Sequence, residues 1–437
     1  MGAGVSTSAR GGLTPLSWAA KGGHEVVVRM LLERDDVNPN IADRHGEAPL
    51  LIAARGGYEG VVKVLLERND VDPNIANRYG ETPLLIAACE GHEGVVKVLL
   101  ERNDVDPNTR NRDGQTPLWV ATYEGHEGVV KMLLERNDLN PNINDHRGQI
   151  PLFMAAEEGH EGVVKMLLER YNVNPNTEDD YDGETLLFIA ARGGHEGVVK
   201  MLLERNDVNC NTTNMCGQTP LFIAACKGHE GVAKMLLECH DVNPNTTGDD
   251  GKADTWIASG LGPEEIIKWV LGYDDFTFSH TPLSIAAWGG HEGIVKMLLK
   301  RNDVNPNTAE SGGKTPLYMA AWAGHEGVVK MLLERNDVNY NTANLHGQTP
   351  LMVAASNGHE VVVKMLLERA DVNSDITDVT SETALSKAQK SRHRPIIKLL
   401  SEHRNSIPPL RGDEFTAPSS REPSNPDLHR SKRIRRV

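Results

Sequence analysis

TPLLIAACEGHEGVVKVLLERNDVDPNTRNRDGQ (residues 82–115) is followed directly by TPLWVATYEGHEGVVKMLLERNDLNPNINDHRGQ (residues 116–149). The second stretch repeats the first with a period of 34 residues, and such self-similarity is the signature of a repeat array. The frame recurs along the chain, beginning at Thr14, Ala48, Thr82, Thr116, Ile150, Thr185, Thr219, Ala253 (a degenerate copy), Thr281, Thr315, Thr349 and Thr383. We number these units 1 to 12, and the sequence predicts that about twelve units stack.

Each unit has the pattern of two short helices. Thr116 is suited to cap the first helix with its hydroxyl group, and Pro117 has the fixed dihedral of a first helical position. Gly125 supplies the positive φ that ends this helix, and Glu127 begins the second one. The apolar residues at 129–134 form a broad face that needs a neighbouring unit to cover it. The polar stretch that follows predicts a turn and a projecting hairpin, which we call the finger.

The motif TPLxxAAxxGHxxVVxxLL followed by a D-V-N turn resembles the ankyrin repeat, and the NDVNPNT loop is similar to that of long ankyrin arrays in filamentous fungi. The resemblance implies an all-α repeat solenoid in which helix pairs stack and hairpin fingers project at right angles. It also implies a concave face that binds protein partners. The period of 34 exceeds the family's usual 33 by one residue, which a loop absorbs.

Unit 8 is irregular, since IASGLGPEEIIKWVL replaces the usual core and the following finger is truncated, so we expect the array to bend or loosen there. In unit 12, polar residues replace apolar ones, which predicts a cap on the end of the solenoid. The predicted organisation is an N-terminal lead-in (1–13), units 1–7 (14–252), degenerate unit 8 (253–280), units 9–12 with the C-terminal cap (281–403) and a disordered basic tail (404–437).

Charge and composition exclude several functions. From Arg404 onward the tail carries eight basic and four acidic residues, which gives it a net charge of +4. Because the whole chain has a net charge of -15, residues 1–403 carry a net charge of -19. Such an array should repel nucleic acid. The absence of a long apolar stretch or a secretory signal, together with five cysteines, predicts a reducing intracellular compartment and no membrane span. We also expect a monomer. No motif indicates a catalytic residue, a metal site or a cofactor, so we expect no enzyme activity.

Both ends of the chain carry possible localisation signals. The basic cluster Arg430, Lys432, Arg433, Arg435 and Arg436 resembles a nuclear import signal, although such a cluster can also bind acidic partners or be solvated charge. The N-terminal MGAGVS matches the N-myristoylation pattern at Gly2. A single acyl chain binds membrane only marginally unless a second signal, such as the basic tail, assists it.

Candidate partner-binding residues are those that vary between units while the frame stays fixed. They occur after the Ala-Ala pair of the first helix and in the finger, and the candidates are Tyr79, Tyr123, Arg147, Arg192, Trp288, Trp322 and His346. Trp288 and Trp322 hold the same position in neighbouring units and should lie side by side. Aromatic residues of this kind are enriched in binding hot spots. The alternative is that the two tryptophans cover the truncated finger of unit 8.

These observations favour a non-enzymatic protein-interaction scaffold. The leading hypothesis is a transcription coregulator, nuclear or both nuclear and cytoplasmic, that binds a transcription factor or chromatin protein. The alternative is a cytoplasmic or membrane-associated adaptor tethered by N-myristoylation and the basic tail. The choice of a regulatory role depends on family analogy.

Overall fold

The computed structural model describes residues 12–171, 174–250, 278–310 and 312–406. Within these residues, each unit except unit 8 forms two helices. The first helices, odd-numbered from α1 to α21, are Pro15–Lys21, Pro49–Arg55, Pro83–Cys89, Pro117–Tyr123, Pro151–Glu157, Leu186–Gly193, Pro220–Lys227, Pro282–Gly289, Pro316–Ala323, Pro350–Asn357 and Ala384–Lys390. The second helices, even-numbered from α2 to α22, are Glu25–Leu32, Glu59–Leu66, Glu93–Leu100, Glu127–Leu134, Glu161–Tyr171, Glu196–Leu203, Glu230–Glu238, Glu292–Leu299, Glu326–Leu333, Glu360–Leu367 and Arg394–Ser406.

Local sequence signals set the helix ends as predicted. The Oγ1 of Thr116 accepts a hydrogen bond from the backbone N–H of Trp119 at 3.2 Å, and Pro117 is the first residue of α7. Gly125 follows the helix with a φ of +73°, a conformation that costs glycine little. The second helix, α8, begins at Glu127, where a carboxylate interacts favourably with the helix dipole.

The core lies between the stacked helix pairs. First helices pack on the first helices of neighbouring units, and second helices pack on second helices. Val129, Val130 and Leu133 of α8 are completely buried, as is Ala121 of α7. The small alanine side chain lets α7 lie close to its neighbours, and the broader face of α8 is covered by the adjacent units. This arrangement is an all-α repeat solenoid, as the sequence predicts.

Units 7 and 9 contact each other directly. Helix α13 packs on α15, and α14 packs on α16. Three kinds of hydrogen bond that join other pairs of neighbouring units also occur at this junction. They link His291 Nε2 with the Cys226 carbonyl oxygen (3.3 Å), Arg301 Nη1 with the Leu237 carbonyl oxygen (2.9 Å) and Asn245 Nδ2 with the Asp303 carbonyl oxygen (2.6 Å). The apolar face of unit 7 is therefore covered by unit 9.

A short antiparallel ladder closes the finger between units 7 and 9. Strand β1 (Gly248–Asp250) pairs with β2 (Phe278–His280), so that Gly248 lies opposite His280. The equivalent residues of an ordinary finger, Asn214 and Gln218, are joined in the same way by a backbone hydrogen bond of 3.1 Å. Gly248 and His280 thus occupy the positions that Asn214 and Gln218 hold in an ordinary finger.

The predicted unit 8, residues 253–280, lies outside the described residues except for strand β2. Within the described residues eleven units stack, and the junction between units 7 and 9 uses the same hydrogen bonds as the regular junctions. The bend or loosening expected at unit 8 concerns residues outside the described ranges.

The two ends of the described stack differ in character. At unit 12, Gln389 and Lys390 are exposed, and Lys387 bonds Asp378 at 2.5 Å and Glu382 at 2.8 Å, which gives this end a polar surface. Helix α22 continues to Ser406, so the predicted boundary at residue 403 lies inside a helix. Unit 1 instead leaves the apolar side chains Trp18, Val26, Val27 and Met30 exposed.

Candidate functional site

The residues that follow the Ala-Ala pair form a row along the solenoid, which we call the helix-end row. Its members are Lys21, Arg55, Cys89, Tyr123, Glu157, Arg192, Cys226, Trp288, Trp322 and Ser356. Each lies at or next to the last residue of a first helix. Four of the seven predicted binding residues belong to this row.

Histidine side chains fix the backbone of the helix-end row. In each described unit from unit 3 onward, the Nε2 of the histidine before the second helix lies 2.5 to 3.3 Å from the carbonyl oxygen of the helix-end residue in the preceding stacked unit. The pairs are His92–Arg55, His126–Cys89, His160–Tyr123, His195–Glu157, His229–Arg192, His291–Cys226, His325–Trp288, His359–Trp322 and His393–Ser356. These bonds give the histidines a structural role and hold the row in register.

Trp288 and Trp322 stack on one another within this row. Their ring centroids are 6.2 Å apart and the rings are inclined by 19°. Both side chains are half-buried and pack against the core. The sequence prediction of adjacency is therefore confirmed. The alternative, that they cover a truncated finger of unit 8, involves residues outside the described ranges.

Tyr123 also has an ordered position. Its ring stacks on Trp119 with a centroid distance of 5.5 Å and an inclination of 16°, while 41% of the residue remains exposed. Trp119 is itself buried, and its Nε1 donates a hydrogen bond to the Gln149 carbonyl oxygen at 3.1 Å. Because the buried tryptophan supports it, Tyr123 presents its aromatic ring with little conformational freedom left to lose.

Arg192 is engaged by neighbouring carboxylates. Its Nη2 lies 3.2 Å from Glu157 of the preceding unit and 3.2 Å from Glu184 at the base of the finger of that same preceding unit. Burial raises the pKa of Glu184 to about 7; the charge of Arg192 acts in the opposite direction, and Asp179, Asp182 and Glu157 raise the pKa further. Arg192 is therefore less free to meet a partner than the sequence suggests.

The remaining predicted residues lie at finger tips. Tyr79, Arg147 and His346 are exposed. Consecutive tips are joined by backbone hydrogen bonds, as when Arg112 N–H donates to the Tyr79 carbonyl oxygen at 2.9 Å and Val379 N–H donates to the His346 carbonyl oxygen at 3.0 Å. The fingers thus hold their tips in fixed relative positions, as the histidines do for the helix ends.

Sequence reasoning missed charged residues at the fingers. Arg55 joins two fingers, since its Nη2 lies 2.7 Å from Glu47 and 3.4 Å from Glu81. Arg44, Arg78 and Arg112 occupy one position in three consecutive fingers and are all exposed. The signal that could have found these arginines is their shared position in the repeat frame.

The two predicted localisation signals lie outside the described residues. The cluster from Arg430 to Arg436 and the acylation position Gly2 are outside the described ranges. In the ranges that are described, no group of three or more His, Cys, Asp or Glu side chains is arranged to hold a metal ion. Among the described helices, none has the length and apolarity to cross a membrane.

Comparison with protein families agrees with this geometry. The family model described as ankyrin repeats (3 copies) matches residues 2–77, 69–145, 130–214, 152–248, 255–344 and 336–409. Together these matches cover most of the chain. Comparison with curated proteins gives no match.

Proposed function

Because the chain belongs to the ankyrin-repeat family, whose repeats form a protein–protein interaction domain, we propose that it is a non-enzymatic scaffold that binds a partner through the helix-end row and the finger tips. A surface built from fixed aromatic and charged side chains suits recognition, because little side-chain freedom is lost when a partner binds. Hydrogen bonds between units hold both the helix ends and the tips in place.

The stacked pair Trp288–Trp322 is the observation that carries this proposal. Two of the six tryptophans of the chain thus occupy the same position in neighbouring stacked units. Their backbone carbonyl oxygens are held by His325 at 2.8 Å and by His359 at 3.0 Å, so the pair is pre-organised. Aromatic side chains in such positions supply large contact areas to a partner.

Partner capture tests the role of the pair. Trp288→Ala combined with Trp322→Ala should reduce the recovery of bound proteins from a cell extract, and the affinity for an identified partner should fall about 30-fold or more, as expected for the loss of a hot spot. Trp18→Ala is the matched control, since Trp18 is an exposed tryptophan outside the pair. Unchanged capture by a folded double variant would remove the pair from the binding surface.

The proposed cellular role is that of a transcription coregulator, nuclear or both nuclear and cytoplasmic, which binds a transcription factor or chromatin protein. The support is the basic cluster Arg430, Lys432, Arg433, Arg435 and Arg436 together with the family analogy. A fluorescent fusion of the full chain should enter the nucleus, and a chain ending at Ser406, where α22 ends, should not. Membrane enrichment that Gly2→Ala abolishes would instead identify a tethered adaptor.

A further inference from the structure

Basic residues occupy the tips of the first four fingers. Arg44, Arg78, Arg112 and His146 hold the same position in units 1 to 4 of the repeat frame, and Arg147 follows His146. All five side chains are exposed. We call these residues the basic finger row.

Backbone hydrogen bonds hold the basic finger row in register. In each case the N–H of a row residue donates to the carbonyl oxygen at the preceding tip. The bonds run from Arg78 to His45 (3.2 Å), from Arg112 to Tyr79 (2.9 Å) and from His146 to Asp113 (3.0 Å). Gly46 has a φ of +82°, and a Cβ placed there would lie 3.1 Å from the Cγ of Arg78, so the arginine stem lies directly over the preceding tip.

The positive charges of this row lack a counter-ion among the described residues. Arg44, Arg78 and Arg112 form no ion pair in these ranges. Three carboxylates that flank these tips in sequence are otherwise engaged. Arg55 pairs with Glu47 and Glu81, and Asp43 accepts hydrogen bonds from the backbone N–H groups of its own turn. Asp113 is the one acidic residue that lies within these four tips.

The fingers beyond the row have a different character. The next tip carries the exposed acidic residues Asp180 and Asp182. Later tips present the apolar side chains Met215, Leu345 and Val379, each at least 70% exposed. The basic surface therefore begins and ends within four fingers, on a chain whose net charge is -15.

We propose that the basic finger row binds an acidic peptide segment in an extended conformation, an inference that rests on the proposed protein-binding function. Guanidinium groups bind carboxylates in a bidentate geometry, and a positive surface on an otherwise acidic chain steers acidic segments toward it. The basic finger row would thus contact one segment of the partner, at a place on the solenoid separate from the tryptophan pair.

The spacing of the tips defines the ligand further. Stacked helices lie about 9 Å apart, so four tips extend over roughly 27 Å. A polyproline II segment rises about 3.1 Å per residue and repeats its side-chain direction every third residue, or about 9 Å. A peptide of about ten residues with a carboxylate at every third position therefore matches the row.

A direct binding measurement tests this assignment. The probe is a fluorescein-labelled peptide of four Glu-Pro-Ser triplets, and its fluorescence anisotropy is followed with the full chain at about 50 mM salt, where surface charges are weakly screened. The variant Arg44→Glu, Arg78→Glu, Arg112→Glu should bind the probe at least about tenfold more weakly, since each arginine contributes one charge pair. A Gln-Pro-Ser peptide should bind at least about tenfold more weakly to the unaltered chain.

A matched control separates the row from net charge. The control variant carries Lys234→Glu, Lys296→Glu and Lys330→Glu, which make the same change of charge at exposed positions on the second helices. Its affinity for the probe should stay within about threefold of that of the unaltered chain. An equal loss in both triple variants would overturn the proposal. If circular dichroism shows that the glutamate variant is unfolded, a neutral variant replaces it. This variant carries Arg44→Gln, Arg78→Gln and Arg112→Gln, and the same weakening of probe binding is expected.

Two further outcomes are decisive. Tighter binding of a labelled single-stranded DNA of equal charge than of the glutamate peptide would overturn the assignment to an acidic peptide. The variant with both Trp288 and Trp322 replaced by alanine should still bind the probe. Failure of the unaltered chain to bind the probe overturns only this inference, whereas failure of the unaltered chain to capture any protein partner overturns the proposed function.

Discussion

The Nε2 of His126 lies 2.9 Å from the carbonyl oxygen of Cys89, which belongs to the preceding unit. Because a carbonyl oxygen only accepts, this nitrogen carries the proton of the imidazole ring. The bond joins the start of one second helix to the end of the neighbouring first helix. Equivalent bonds recur along the stack, so each histidine connects two units as well as two helices.

His126→Ala should lower the free energy of unfolding by about 1 to 2 kcal/mol, because the Cys89 carbonyl oxygen loses its partner in a partly buried position. Denaturant unfolding followed by circular dichroism measures the change. His24→Ala is the control, since His24 is exposed and its side chain caps no helix, and it should change stability by less than about 0.5 kcal/mol. Equal effects of the two substitutions would contradict a connecting role for His126.

Ala48→Thr should stabilise the chain by about 0.5 to 1 kcal/mol. Ala48 precedes α3 with φ -75° and ψ 162° but offers no side-chain cap, whereas Thr116, in a similar conformation, accepts the Trp119 N–H. Thr116→Ala should lower stability by a similar amount. Thermal and denaturant unfolding of both variants provide the measurement, and a destabilising Ala48→Thr would show that the buried site has no space for the hydroxyl group.

Glu184→Gln should change the pH dependence of stability. The pKa of Glu184 is raised from 4.5 to about 7, chiefly by burial, so between these pH values the folded state binds a proton that the unfolded state lacks. Stability contributed by this group is therefore present below pH 4.5 and is lost as the pH rises through about 7. The shift from 4.5 to about 7 corresponds to at most about 3 to 4 kcal/mol.

The comparison uses unfolding free energies at about pH 5 and about pH 8. Relative to the unaltered chain, Glu184→Gln should gain stability at the higher pH. Glutamine occupies the equivalent position at Gln115, Gln149 and Gln218, so the substitution suits the frame. Parallel pH profiles of the two proteins would show that Glu184 does not titrate in this window.

Replacing residues 249–279 with the tripeptide Arg-Asp-Gly, the tip found at residues 112–114, should leave the stack intact. The base of this finger is already closed by the Gly248–His280 pair, and unit 9 already covers unit 7. We expect the helical circular dichroism signal per stacked unit and the unfolding midpoint to be retained. A large loss of helicity in units 9 to 12, detected by hydrogen exchange, would mean that residues 249–279 support the junction.

The helix pairs could be predicted because their signals are local. Thr116, Pro117 and Gly125 determine their own backbone conformations, and the same residue types recur in most of the regular units. The direct contact between units 7 and 9 could not be predicted in this way. Periodicity counts residues along the chain, whereas stacking depends on which apolar faces meet, and Gly248 and His280 meet across an interval that sequence alone does not mark.

The candidate site was only partly predictable for a related reason. The shared position of Trp288 and Trp322 in the frame was enough to predict that they lie side by side. The engagement of Arg192 by Glu157 and Glu184 depends on the distance between a helix end and two neighbouring segments. That distance is a property of the stacked units and is not encoded in any one of them.

The direct junction between units 7 and 9 also determines how distance along this protein has to be counted. Cys226 and Trp288 are 62 positions apart in sequence, yet they are successive members of the helix-end row, as Cys89 and Tyr123 are. The pitch of the solenoid is set by helix contacts, so the phase of unit 9 relative to unit 7 does not depend on the number of residues between them. A ligand that spans the junction meets successive members of the helix-end row, and its length is measured in helix pairs, not in residues.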